Sequence, residues 1–162
     1  MPAISSPRIT PNLWFDTQAE EAAAFYVSVF PDARIAEVHR YGPVGPRPEG
    51  EVMLVVFELG ATRFCAINGG PQFTFDEAVS FEITCRDQAE VDHYWDALTA
   101  DGGSESRCGW CRDRFGLCWQ VVPEGMGELL GDPDRDRAAR ALRAMFGMRK
   151  LDVAALRAAA DG

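Results

Sequence analysis

The chain has 162 residues, 47% of them hydrophobic, and a formal net charge of -9. That length supports one well-buried core, so a single domain over residues 1–162 built of two halves is expected, while the acidic balance repels phosphate backbones and argues against nucleic-acid binding. No run approaches the ~20 apolar residues a bilayer span needs and the N-terminus shows no charged-then-apolar signal, so neither membrane insertion nor export is expected and a cytoplasmic protein is.

After a short leader containing Pro and Ser, Ile9 to Phe15 sets apolar residues at 9, 13 and 15 opposite Thr10, Asn12 and Trp14. This alternation predicts a first strand, with Pro11 at an edge or bend. Ala19 to Phe30 carries Ala22, Phe25, Tyr26 and Val29 on one helical stripe and is stopped by Pro31. Ala33 to Tyr41 reads as a second strand and residues 42–50, rich in Pro and Gly, as a mobile loop; Glu51 to Leu59 and Thr62 to Ile67 then form a hairpin about Gly60 and Ala61. A strand over Ala78 to Cys85, a helix over Gln88 to Ala100, a turn at Gly102 and Gly103, and three short strands ending with Leu117 to Val122 follow. Past Pro123, residues 133–147 and 152–160 have helical spacing, the first started by Asp132 and Pro133, and should cover the sheet or build a subunit contact. The arginines 135, 137, 140 and 143, interleaved with Asp and Ala, read as a solvated helix face.

The two halves repeat. Gln18-Ala19-Glu20 returns as Gln88-Ala89-Glu90, Leu13 matches Ile83, Phe25 matches Trp95, and Thr17 matches Asp87 as the N-cap. Thr17 with Glu20 and Asp87 with Glu90 both fit a capping box. Each half is therefore a strand, a helix and three strands, with modules at about residues 8–70 and 77–123 and a helical extension over 124–162.

That doubled βαβββ unit resembles the vicinal oxygen chelate superfamily, which includes glyoxalase, bleomycin-resistance proteins and extradiol dioxygenases. The segments Ile9 to Asp16, Ala19 to Ala22, Phe25-Tyr26, Ser28 to Pro31, Ile67 to Pro71 and Phe115 to Pro123 are similar to its PhnB-like branch, also labelled as a 3-demethylubiquinone-9 3-methyltransferase-like domain. The likeness takes in nearly the whole chain, the C-terminal helices included. It implies an α+β fold in which the strands of two tandem modules curve into a half-open barrel, usually completed in a homodimer. Alternation then puts Val79, Phe81 and Ile83 beneath a helix and Ser80, Glu82 and Thr84 on the concave side, with Thr10, Asn12 and Trp14 in the equivalent places.

The superfamily's metal-dependent members hold a divalent ion with His, Glu or Gln near the first and last strands of the modules, and this chain departs from that pattern. It has Pro11 or Asn12 and Ala78 or Ser80 on the first strands, and Gln120 on the last where metal-binding relatives have Glu. His39 and His93, its two histidines, fall on the second strand and the flank of a helix, and read as surface or structural side chains. No metal site is assigned and no cofactor is expected; a weakly held divalent ion through Glu82, Gln120 and Asn68 is the alternative. Asn68 otherwise shapes the turn before Gly69, and Glu82 is either a cleft-edge ion pair or a general base.

Five cysteines, at 65, 85, 108, 111 and 118, suggest reduced thiols rather than a disulfide framework. The pair Cys108 and Cys111 lies between strands, not at a helix start, which weakens a redox reading, and a zinc site would lack further ligands. Gly69-Gly70 is followed by Pro71, Phe73 and Phe75 with no helix pattern, so the methyltransferase label finds no nucleotide-binding loop. What remains is a pocket with aromatic walls from Trp14, Trp110, Trp119 and Phe73 and polar contacts from Asn12, Glu82 and Gln120. The candidate catalytic residue is Glu82; the candidate ligand contacts are Asn12, Trp14, Asn68, Trp110 and Gln120. Whether the chain is an enzyme stays open at this point. The reading is a small-molecule-binding protein, with a metal-dependent lyase, isomerase or dioxygenase as the alternative and a methyltransferase behind both.

Overall fold

Alternating strands and stopped helices cut the chain into the same series of elements twice. The computed structural model describes residues 9–162, and the leader read before Ile9 lies outside them. One compact unit ends at Thr74 and the other spans Phe75–Gly162. The first contains β1 (Asn12–Phe15), α1 (Ala19–Val29), β2 (Ala33–Arg40), β3 (Val52–Leu59) and β4 (Thr62–Asn68). The second contains β5 (Phe81–Cys85), α2 (Gln88–Thr99), β6 (Ser104–Glu105), β7 (Trp110–Arg112) and β8 (Cys118–Pro123), then α3 (Met126–Leu130), α4 (Arg135–Phe146) and α5 (Val153–Asp161).

The two sheets share one topology, β1-β4-β3-β2 and β5-β8-β7-β6. In each, the first strand lies parallel to the last and the remaining pairings are antiparallel. Leu13 sits beside Ala66 and Ile83 beside Val121, all four buried, so the matched pair marks the same position in both modules. The chain is thus an α+β protein of two βαβββ modules with added C-terminal helices, as read from the repeat. The first helix packs through Tyr26, whose ring stacks on Phe57 at 5.7 Å, and Phe57 stacks on Phe64 at 5.2 Å. Trp95 does the same work in the second module; its sequence match Phe25 is only half-buried, because Tyr26 takes the inward position.

Several expectations are corrected. β1 begins at Asn12, since Pro11 can offer only its carbonyl, which accepts the Cys65 N–H at 2.9 Å. β5 begins at Phe81, the first residue in register with β8, opposite Trp119, and Val79 is 64% exposed instead of lying beneath a helix. At Asp87 the cap forms, its carboxylate accepting the Glu90 N–H at 3.0 Å, but the return bond of the box is displaced by one residue, Glu90 accepting from the Arg86 N–H at 2.8 Å. The box at Thr17 does not form. Gln18 occupies the N-cap without a side-chain bond, Glu20 pairs with Arg40, and the Ala19 N–H instead donates to Asn68 Oδ1 at 2.8 Å. The α4 cap is Asp134, two residues past Asp132, accepting from the N–H groups of Asp136 and Arg137.

The extension folds back on its own module. Leu151 and Leu156 are buried with Met126, and Val122, Leu129, Met145 and Met148 pack around them. The segment between α4 and α5 runs alongside the turn before β7: Met148 O accepts from Cys108 N–H at 2.9 Å and Arg149 O from Gly109 N–H at 2.8 Å. Both turn residues have positive φ, 57° and 83°, and a side chain at Gly109 would meet Val121 O at 2.8 Å. Gln88 clasps the same segment, donating to Leu151 O at 3.1 Å and accepting from Val153 N–H at 2.9 Å. The arginine face of α4 is not wholly solvated, because Arg137 pairs with Asp132 and Asp161 and Arg140 donates to Ala160 O at 3.0 Å.

Candidate functional site

Alternation along each strand gives every sheet a helix-covered face and an open one. In the second module Phe81, Ile83, Cys111, Trp119 and Val121 alternate with the residues of the other face, of which Ser80, Glu82, Thr84, Trp110, Arg112 and Gln120 are at least partly exposed, while Cys118 is buried and Val122 packs against the C-terminal helices. The register lines up Glu82, Gln120 and Trp110 as direct cross-strand neighbours on β5, β8 and β7. Three of the candidate residues therefore form one row. Gln120 Nε2 donates to Ser80 Oγ at 2.9 Å, which fixes the amide on the row. Beside it the Arg112 guanidinium is held by Glu77 and reaches the Cys118 thiol. Sequence reasoning passed over this arginine, although its spacing of two from Trp110 was the signal.

Trp119 departs from the expectation of an aromatic wall. It is buried on the helix-covered face, where its indole N–H donates to Asp113 at 2.8 Å. Asp113, also buried, accepts from the N–H groups of Phe115 at 2.9 Å and Leu117 at 3.1 Å, so one carboxylate shapes the turn between β7 and β8 and sets the register of the row.

In the first module the matching open face is more apolar, with Trp14, Ile67 and Leu54 in one row and Asn12, Cys65 and Val56 in the next. Asn12 is exposed and its amide donates to Thr10 O at 2.9 Å. Trp14 is half-buried; its indole N–H donates to Gly70 O at 2.9 Å and Phe73 meets it edge-on at 5.2 Å. Its ring lies against Gly69 so closely that a Cβ there would be 2.1 Å from a ring carbon. The indole thus occupies the space over the glycine pair, and residues 71–80 form no helix behind it, which leaves no cradle of the nucleotide-binding kind. Asn68 points away from the open face. It is 5% exposed, and its amide is shared between the Ala19 N–H and Val52 O, the latter accepting at 3.0 Å.

Both histidines lie at the surface, His39 bonded to Glu37 at 2.9 Å and His93 edge-on to Tyr94 at 5.0 Å. Among the described residues no group of three or more His, Cys, Asp or Glu side chains is placed to hold a metal ion. All five cysteines are free. Burial pushes the thiols of Cys85 and Cys111 up to about 12, and raises Cys118 against the opposing pull of Arg112. Such thiols stay protonated near neutral pH and make poor nucleophiles or metal ligands.

Residues 7–122 match the family described as 3-demethylubiquinone-9 3-methyltransferase. The PhnB protein from Bacillus cereus is similar at 32% identity and a TM-score of 0.66, over 72% of this chain and 99% of that one. Protein PA1353 from Pseudomonas aeruginosa shares the fold at 23% identity and a TM-score of 0.61, over 74% of this chain and 98% of that one. The fosfomycin resistance protein FosX from Listeria monocytogenes shares it at 13% identity and a TM-score of 0.54, over 77% and 98%. No curated protein matches the chain. The family match ends at Val122, which corrects the expectation that the resemblance takes in the C-terminal helices.

Proposed function

Because the chain belongs to the 3-demethylubiquinone-9 3-methyltransferase family, the PhnB-like branch of the glyoxalase, bleomycin-resistance and dioxygenase superfamily, we propose that it binds a small organic molecule on the open faces of its sheets. The observation that carries this is the row Glu82, Gln120 and Trp110. An indole offers a flat apolar surface, a neutral amide anchored by Ser80 offers directional hydrogen bonds, and Glu82 on the edge strand accepts a hydrogen bond or a proton. The row holds a single carboxylate and no imidazole, a donor set that suits recognition better than tight capture of a transition metal. Asn12 and Trp14, on the matching strand of the first module, are further ligand contacts in this reading. The protein acts as a dimer in the cytoplasm.

The test is a screen of small molecules by thermal shift, followed by titration of the hits. Trp110→Ala is expected to weaken a genuine ligand about tenfold and Gln120→Ala about fivefold, each with an unchanged fold. Hits that bind both variants as tightly as the parent refute the site. Elemental analysis of untagged protein should find well under one transition metal per chain. Stoichiometric metal lost in Glu82→Ala or Gln120→Ala would favour the metal-dependent enzyme instead.

A further inference from the structure

The extension outside the family match encloses a cleft of its own. Pro123 to Leu129, the α3–α4 junction, α4 and α5 surround about 300 Å3, a volume at the lower end of small-molecule pockets. Met126, Leu129 and Leu156 supply an apolar floor. The charged lining consists of Glu124, Glu128, Asp132 and Asp161 against Arg137 and Arg157, an excess of two negative charges.

Those charges are not equivalent. Arg137 is committed to Asp132, at 3.1 Å, and to Asp161, a fork that ties the α3–α4 junction to the end of α5. Arg140 adds a second tie to α5 through Ala160 O. The walls are therefore cross-linked without a ligand, which lowers the ordering cost of binding. Glu124, in the turn before α3, and Glu128, on α3, both exposed at the cleft, enter no ion pair among the described residues. The nearby charge of Arg86 reaches Glu124, but Arg86 is itself held by Glu90.

We propose that this cleft binds a small organic cation with an apolar body, such as an alkylammonium, its chain on Met126, Leu129 and Leu156 and its charge against Glu124 and Glu128. The site is separate from the open sheet faces, so it stands or falls independently of the proposed function.

The test uses the intact, isotope-labelled chain titrated with octyltrimethylammonium below its micelle concentration, with octanoate as the partner of opposite sign. The ammonium should saturate one site and move the amides of residues 124–129 and 153–157, with octanoate at least about tenfold weaker. The double variant Glu124→Gln, Glu128→Gln should weaken the ammonium about fivefold, and Arg157→Gln should tighten it about twofold. A control pair, Glu21→Gln with Glu49→Gln, removes the same charge elsewhere and should change nothing. Absence of saturable binding, octanoate binding as tightly, weakening by Arg157→Gln, an equal loss in the control pair, or shifts centred on β5, β7 and β8 would each overturn the proposal.

Discussion

Asn68 shows what one buried amide can do. It stands at the end of β4 and supplies the cap that Gln18 does not, taking the Ala19 N–H on one atom and giving to Val52 O with the other. Removing it strands a helix-end donor and a strand carbonyl inside the first module, so Asn68→Ala should cost about 1–3 kcal/mol in urea denaturation. Thr17→Ala, at the position that the sequence repeat nominates as the cap, should stay within about 0.5 kcal/mol. The repeat revealed Asp87 correctly because its bond to Glu90 is local; the cap of α1 comes from 49 residues away and leaves no local signature. The cysteines follow the same logic of environment. Cys85 and Cys111, held protonated by burial, should resist iodoacetamide at pH 8 until the protein is unfolded, while half-buried Cys65 and Cys108 label first. Peptide mass spectrometry would read the order and would also show whether Cys108 and Cys111 ever link once reductant is removed; early labelling of Cys111 would disprove its burial.

At the scale of elements, the segment joining α4 to α5 is bound by side chains whose charges set its pH response. Asp92 lies below the usual carboxylate range, chiefly through the Lys150 ammonium and then Gln88, and Glu105 does so through the Trp95 indole N–H and then Arg149. A carboxyl depressed in the folded state stabilises it above the ordinary range and loses that contribution as pH falls through the folded value. The urea midpoint should therefore hold from neutral pH to about 5 and drop below about pH 4, with a smaller drop in the Asp92→Asn, Glu105→Gln double variant. Leu151→Ala, at the segment's buried anchor, should cost about 2–4 kcal/mol. Strands, both module helices and α4 and α5 were legible as periodic patterns, and alternation put Glu82 on the open side, whereas Gln120 was singled out by its place on the last strand and Trp110 by its aromatic character. Aromatic character failed for Trp119, since choosing between the faces of β7 and β8 requires the register that Asp113 imposes from inside the turn. α3 escaped for another reason: five residues behind a left-handed Gly125 are too few to show a period.

For the whole molecule, the remaining question is how its edges are covered. β1 and β2 end one sheet and β5 and β6 the other, and on β2 and β3 Ile35, Val38 and Met53 remain exposed. Exposed apolar edges invite association unless a partner covers them. The C-terminal helices were one expected source of a subunit contact, but Met145, Met148, Leu151 and Leu156 are already used against their own module. Only Leu142 and Phe146, one turn apart on α4, stay open among the large apolar residues of those helices. Two side chains cannot supply the ~800 Å2 per partner of an ordinary interface, so a dimer would have to draw mainly on the strand edges and open faces. Light scattering at micromolar concentration should accordingly give a dimer for the intact chain and for Leu142→Glu, Phe146→Glu, whereas Ile35→Lys, Val38→Lys should lower the mass. A monomeric mass for the intact chain would remove the dimer from the proposed function. Loss of the dimer in the α4 variant alone would move the interface to the extension, where burial of Leu142 and Phe146 would then have to matter more than their area suggests.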